Sequence, residues 1–294
     1  MERSALSVAI LRQRLISLLS AMPAAQSGDE ASVHQARVAS RRLREALPVI
    51  GTSGNAQALD RVDRRVRRIT RALGPVRELD VALLLLTELE SRSAATPAAI
   101  ALVRDAVIVE RQRRRLDMLA EITPSRLDKL RKRLVDVAAP EAHAPAANAL
   151  AEATVQSRKR ARRLKAAIEH AGRLYLAERL HQVRIAAKKL RYAIEIQREL
   201  THSRSKLHLS RLKTQQNLLG RMHDLEMLID RARAVQAAMP ARNRRGMAEL
   251  NALIRVLEDE CREGHAAYMH ARPALLKLCD AVIDAAEQSR SSAA

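Results

Sequence analysis

The 294-residue sequence contains no phenylalanine, no tryptophan, three tyrosines, two cysteines and eight glycines. Proteins that read single-stranded nucleic acid stack bases on aromatic rings, and Tyr175, Tyr192 and Tyr268 are too few for such a platform. Cys261 and Cys279 stand 18 positions apart with no metal-ligand spacing around them. They are expected as ordinary buried thiols, not as a disulfide, a redox pair or a zinc site. Glycine is scarce and no alternating pattern runs between turn signals, which removes sheet architectures and leaves an all-α chain. A Gly-rich phosphate loop, a Walker motif and a paired-carboxylate cluster are all missing, so no catalytic residue, no cofactor and no metal is expected. The longest uncharged apolar run, residues 81–86, falls far short of a bilayer span, and Arg12 and Arg14 interrupt the early apolar run before it reaches signal-peptide length. A soluble, cytoplasmic protein with no membrane partner is the expectation.

What the chain has in excess is positive charge. Its 53 Lys plus Arg against 33 Asp plus Glu leave a net charge of +20, and arginine far outnumbers lysine. Such a surface attracts polyanions, and the planar guanidinium fork grips phosphate where an ammonium acts as a point charge. With so few rings to stack bases, a phosphate polymer without bases fits better than a single strand.

Helix breakers divide the chain. A first helix from about residue 3 closes at Pro23 and the 27–29 turn, a second at residues 48–55, a third at Gly74–Pro75 and a fourth at Thr96–Pro97. A fifth ends near Ile122 and a sixth starts at Pro124. Residues 139–147, AAPEAHAPA, read as a linker. Breaks then recur near Gly172, Thr201, Gly220, Pro240 and Pro273. The reading is two halves, 3–138 and 148–290, of about six helices each.

The halves repeat each other in sequence. VHQARVASRRLREAL around His34 matches LHQVRIAAKKLRYAI around His181 at an offset of 147. LGPVRELDVALL, from Leu73, matches LGRMHDLEMLID, from Leu219, at an offset of 146. Upstream, Arg65 and Arg67 fall on Arg211 and Lys213. Duplicated units of one element order are expected to pack about a pseudo-twofold axis.

Positions i, i+3, i+7 and i+10 share one helix face. His34, Arg37, Arg41 and Arg44 have that spacing, as do His181, Arg184, Lys188 and Arg191, while Val33, Val38, Leu43 and Leu47 point toward a core. Each stripe covers about 15 Å of helix axis. Like charges at that density repel, which makes sense when an anion compensates. The next helix carries a further run, with Arg61, Arg64, Arg68 and Arg71 on one stripe and Asp60 and Asp63 available as partners; its counterpart adds Arg204, Lys206, Arg211 and Lys213. A histidine beside two arginines is a poor metal site, so His34 and His181 read either as hydrogen-bond donors to phosphate or as packing residues. His143, His202 and His208 look incidental. Asp80, Asp224 and Glu226, following the LG breaks, are expected as caps in a first helical turn.

These segments resemble the hallmark sequences of the CHAD family, the conserved histidine α-helical domain, over roughly residues 3–290. The resemblance implies two pseudo-symmetric helical bundles with one basic central cleft. It also implies a function, because in that family the basic surface binds inorganic polyphosphate and members localise to polyphosphate granules. Carried over by position, His34, Arg37, Arg41, Arg42 and Arg44 form one wall and His181, Arg184, Lys188, Lys189 and Arg191 the other. Arg65, Arg67, Arg211 and Lys213 rank second. Thr214, Gln215 and Gln216 stand where the first half has Arg68, Ile69 and Thr70, so unequal binding by the halves is expected. Family members are often fused to a CYTH triphosphatase-like domain, whose acidic strand pattern is not found here, and hydrolysis is expected of a separate protein. Nucleic acid is the alternative partner, since a duplex backbone is also a dense phosphate array.

Overall fold

The computed structural model describes residues 2–50, 56–137, 147–201 and 207–291. Among them stand nine helices and no strand: α1 (Glu2–Ser27), α2 (Glu30–Ile50), α3 (Ala56–Ser91), α4 (Pro97–Glu121), α5 (Pro124–Val137), α6 (Ala147–Ala171), α7 (Ala177–Thr201), α8 (Leu207–Ala238) and α9 (Arg244–Ser291). Local chemistry writes several of the ends. Gly28 takes a φ of 99° after α1, and the Asp29 carboxylate accepts the Ser32 amide at 2.7 Å to start α2. Thr96 caps α4 by accepting the Ala99 amide, ahead of Pro97 in the first turn. Asn243 caps α9 by accepting the Gly246 amide at 3.1 Å.

About six helices per half is corrected to five and four, because three expected breaks, at Gly74–Pro75, Gly220 and Pro273, do not occur. Helix α3 runs through Gly74–Pro75 and α8 through Gly220. Leu73, Val76 and Leu79 flank the Gly-Pro step and are fully buried. Each such side chain contributes about 1.5–3 kcal/mol, which together outweighs the roughly 3 kcal/mol cost of a proline in a helix interior. Pro23, Pro48 and Pro273 likewise sit inside helices. The expected linker, 139–147, lies outside the described residues except its last position, which begins α6. Arg204, Lys206, His143 and His202 also lie outside them.

Three apolar cores fill the interior. One joins α1, α2 and α5 to the first part of α3, with Ile196 and Leu200 of α7 reaching into it. Another joins α6, α7, the first part of α8 and the end of α9. Between them, a central core takes Leu79 to Leu89 of α3, the start of α4, Leu225 to Ala232 of α8 and the start of α9. The long helices α3 and α8 therefore each serve two cores, and each changes core just beyond its glycine. Cys261 and Cys279 are free and buried, and burial raises their thiol pKa values to about 11 and about 12. No described helix is long and apolar enough to cross a membrane.

Candidate functional site

Where α2, α3, α7 and α8 meet, a cavity of about 600 Å³ opens. Val33, Leu43 and Leu47 on α2, and Val183 and Leu190 on α7, are buried and fix how each helix is rolled. That roll turns His34, Arg37 and Arg41 from one side, and Arg184, Lys188 and Arg191 from the other, into the same cavity. Val38, expected in the core, lines the cavity instead.

The LG segments serve this site by letting an arginine approach the helix backbone. Arg37 Nη1 donates to the Gly74 carbonyl at 2.7 Å, and a Cβ at position 74 would lie 3.1 Å from that nitrogen. At the matching Gly220, a Cβ would lie 3.8 Å from Arg184 Nε. The acids that follow are paired in parallel: Arg37 with Glu78 at 3.7 Å and Arg184 with Asp224 at 3.8 Å. Because no helix starts at either glycine, the expected capping roles are corrected. Asp80 is buried in mid-helix and accepts from Arg111 Nε at 2.6 Å, Glu226 accepts from the Tyr175 hydroxyl, and Asp224 faces the cavity.

Crowded cations shape the electrostatics. Burial first, then Arg184, Arg41 and Arg37, push the Lys188 ammonium down to about 6. Burial and Arg41 bring Arg37 down to about 10, and burial lowers Arg184 against the pull of Asp224. Arg184 Nε is buried without a hydrogen-bond partner among the described residues. Burial and the surrounding arginines also lower His34 and His181, and His223 falls to about 3. Every one of these groups would be relieved by an anion placed among them.

The remaining expected residues scatter. His181 turns away from the main cavity and meets His223, Nδ1 to Nδ1 at 3.1 Å, beside a smaller cavity with Glu178, Glu226 and Asp230. Arg42 lines a neighbouring groove with Arg14 and Arg198 and pairs with Glu195 at 3.3 Å. Arg44 and Arg67 both turn to Asp63, at 3.5 and 2.6 Å. Lys189 sits near Arg160 and Glu45, Arg65 faces α5, and Arg211 and Lys213 are exposed on α8 outside the cavity. Three basic lining residues escaped the sequence reading: Arg77, His223 and Arg221. Arg77 and His223 match at the 146 offset within the very segments already aligned, so the repeat itself held the signal. Arg221 is tied to Glu88 and Glu260.

The sequence profile of the CHAD domain matches residues 9–233. No curated protein matches the sequence. Among solved structures, PptA from Streptomyces chartreusis is similar with a TM-score of 0.66 at 19% identity, over 97% of this chain and 99% of that one. The CHAD domain from the plant Ricinus communis is similar with a TM-score of 0.62 at 23% identity, over 96% of this chain and 91% of that one. At these identities the likeness is one of fold.

Proposed function

The chain belongs to the CHAD-domain family, and we propose that it binds inorganic polyphosphate, without catalysis, in the basic cleft where α2 and α7 face each other. In this reading two pseudo-symmetric halves, 3–138 and 148–290, each supply one wall. The observation that carries it is the convergence of Arg37, Arg41, Arg184 and Lys188 on one cavity, with the Lys188 ammonium driven down to about 6 by burial and its arginine neighbours. Arg41 and Lys188 have no carboxylate partner among the described ion pairs, so an incoming anion meets no competing carboxylate at either. A thin unbranched phosphate chain suits a concave site in which cations outnumber the rings, Tyr192, His34 and His223. Duplex DNA calls for a broad exposed face. Residence on polyphosphate granules in the cytoplasm follows from the same binding.

The test is competition between long-chain polyphosphate and duplex DNA for the full chain at about 150 mM salt, where diffuse charge attraction is screened beyond roughly 8 Å. Polyphosphate is expected to displace DNA. Equal or better retention of DNA would overturn the reading.

A further inference from the structure

A second basic cavity, of about 350 Å³, lies between α3 and α5 and shares no lining residue with the cleft. Its α3 side is Arg61, Arg64, Arg65 and Arg68, and its α5 side is Arg126, Lys129 and Arg133. Both rows span eight residues, about 10 Å of helix axis at roughly 1.5 Å per residue. They face each other because Val62, Val66 and Ile69 pack against Leu130 and Leu134 along the seam beneath. Glu121 pairs with Arg68 at 3.1 Å and with Arg126 at 3.0 Å. It lies outside the lining of this cavity. Arg61, Arg64, Arg65, Lys129 and Arg133 have no ion-pair partner among the described residues.

Surface solvation does not account for this arrangement. Two solvated rows gain nothing by facing each other, and here they repel: burial, then Arg133 across the seam and Arg68 beside it, lower the Arg65 pKa. Nor does the repeat need the charge to fold. At the 146 offset, three of the four α3 cations, Arg61, Arg64 and Arg68, correspond to Leu207, Ser210 and Thr214, and Arg65 alone meets a cation, Arg211; α8 forms a continuous helix there.

We infer that the α3–α5 cavity is a second polyphosphate site, independent of the cleft, so that one protein chain holds two phosphate strands or two segments of one strand. The inference rests on the cleft reading for the identity of the polymer and on its own geometry for the site. No aromatic side chain lines the cavity, so bases find no stacking surface, while two facing cation rows suit a bare phosphate chain. Bivalent binding would cross-bridge polyphosphate strands.

The experiment is calorimetric titration of the full chain with short-chain inorganic polyphosphate, read as chains bound per protein, with duplex DNA as competitor. Wild type is expected to bind two chains. R65E/R133E is expected to bind one, as is R64E/K129E, which changes only exposed side chains. R41E/K188E, which disables the cleft, is expected to keep one. Two chains bound by both α3–α5 variants would overturn the second site. So would a wild type that binds one chain and loses it in R41E/K188E, a result that leaves the cleft intact. Binding lost in R65E/R133E but unchanged in R41E/K188E would instead overturn the cleft and keep this site. DNA that displaces polyphosphate from R41E/K188E would overturn polyphosphate as the occupant.

Discussion

Helices α2 and α7 carry the same stripe, yet the two sides of the cleft hold their cations differently. On the α2 side, Arg37 is anchored to the Gly74 carbonyl, His34 lines the cavity, and Arg44 is spent on Asp63. On the α7 side, Arg184 Nε has no hydrogen-bond partner among the described residues, His181 is held by His223, and Arg191, although paired with Glu195 at 3.3 Å, still reaches the cavity. At the centre Arg41 faces Lys188, a permanent charge opposite a removable one. The two segments match in their positions of charge, while the neighbours decide whether that charge is committed to the fold or left for a ligand.

Breaking both sides at once has the largest expected effect. In R41E/K188E two charge-assisted contacts worth about 1.5–3 kcal/mol each disappear, so cleft affinity for polyphosphate should drop by about 100-fold or more. Circular dichroism should show unchanged helicity. An unaltered affinity would place the site elsewhere.

The Arg41 and Lys188 difference is sharpened by pH. In the folded chain Lys188 loses its proton near 6, whereas the unfolded chain keeps it to about 10.5. Between those values the unfolded state binds more protons, so ligand-free stability rises with pH. A bound polyanion restores the proton, so affinity should fall as pH climbs from 7 to 9, by up to about tenfold per pH unit. K188R, which copies the α2 side, should flatten that slope. A slope that persists in K188R would assign it to another group.

The smallest effect separates the two glycines. G220A adds a methyl at ordinary contact distance, 3.8 Å from Arg184 Nε, and should stabilise the helix by up to about 1 kcal/mol. In G74A the methyl would press on Arg37 Nη1 at 3.1 Å, so denaturant unfolding should show no gain. Equal gains at both positions would mean that the Arg37 contact does not hold α2 against α3.

Much of this was legible in the sequence. The all-helical class followed from composition, and the 147-residue repeat named His34, Arg37, Arg41, Arg184, Lys188 and Arg191, which share one cavity, because stripe spacing is a local property. Arg42, Arg44, His181 and Lys189 were named with them and turn elsewhere, since their partners come from other helices. Helix ends at Gly74–Pro75 and Gly220 were misread, since what carries α3 and α8 onward is burial of Leu73, Val76, Leu79, Leu219 and Met222 against other helices. That error hid Arg77 and His223, which reach the cavity only because the helix continues past the glycine. Arg65 and Arg211 align in sequence but diverge in place, because α5 packs alongside the first and brings its own cations.

The central core has a historical consequence. Its apolar residues come in equal kind from α3–α4 and α8–α9, so a half-length precursor of this design could cover its share only against a copy of itself, as an isologous dimer. Fusing two such genes would make that association independent of concentration and free each copy to change alone. Arginine at 41 against lysine at 188, and arginines at 61, 64 and 68 against Leu207, Ser210 and Thr214, are the kind of difference such freedom allows.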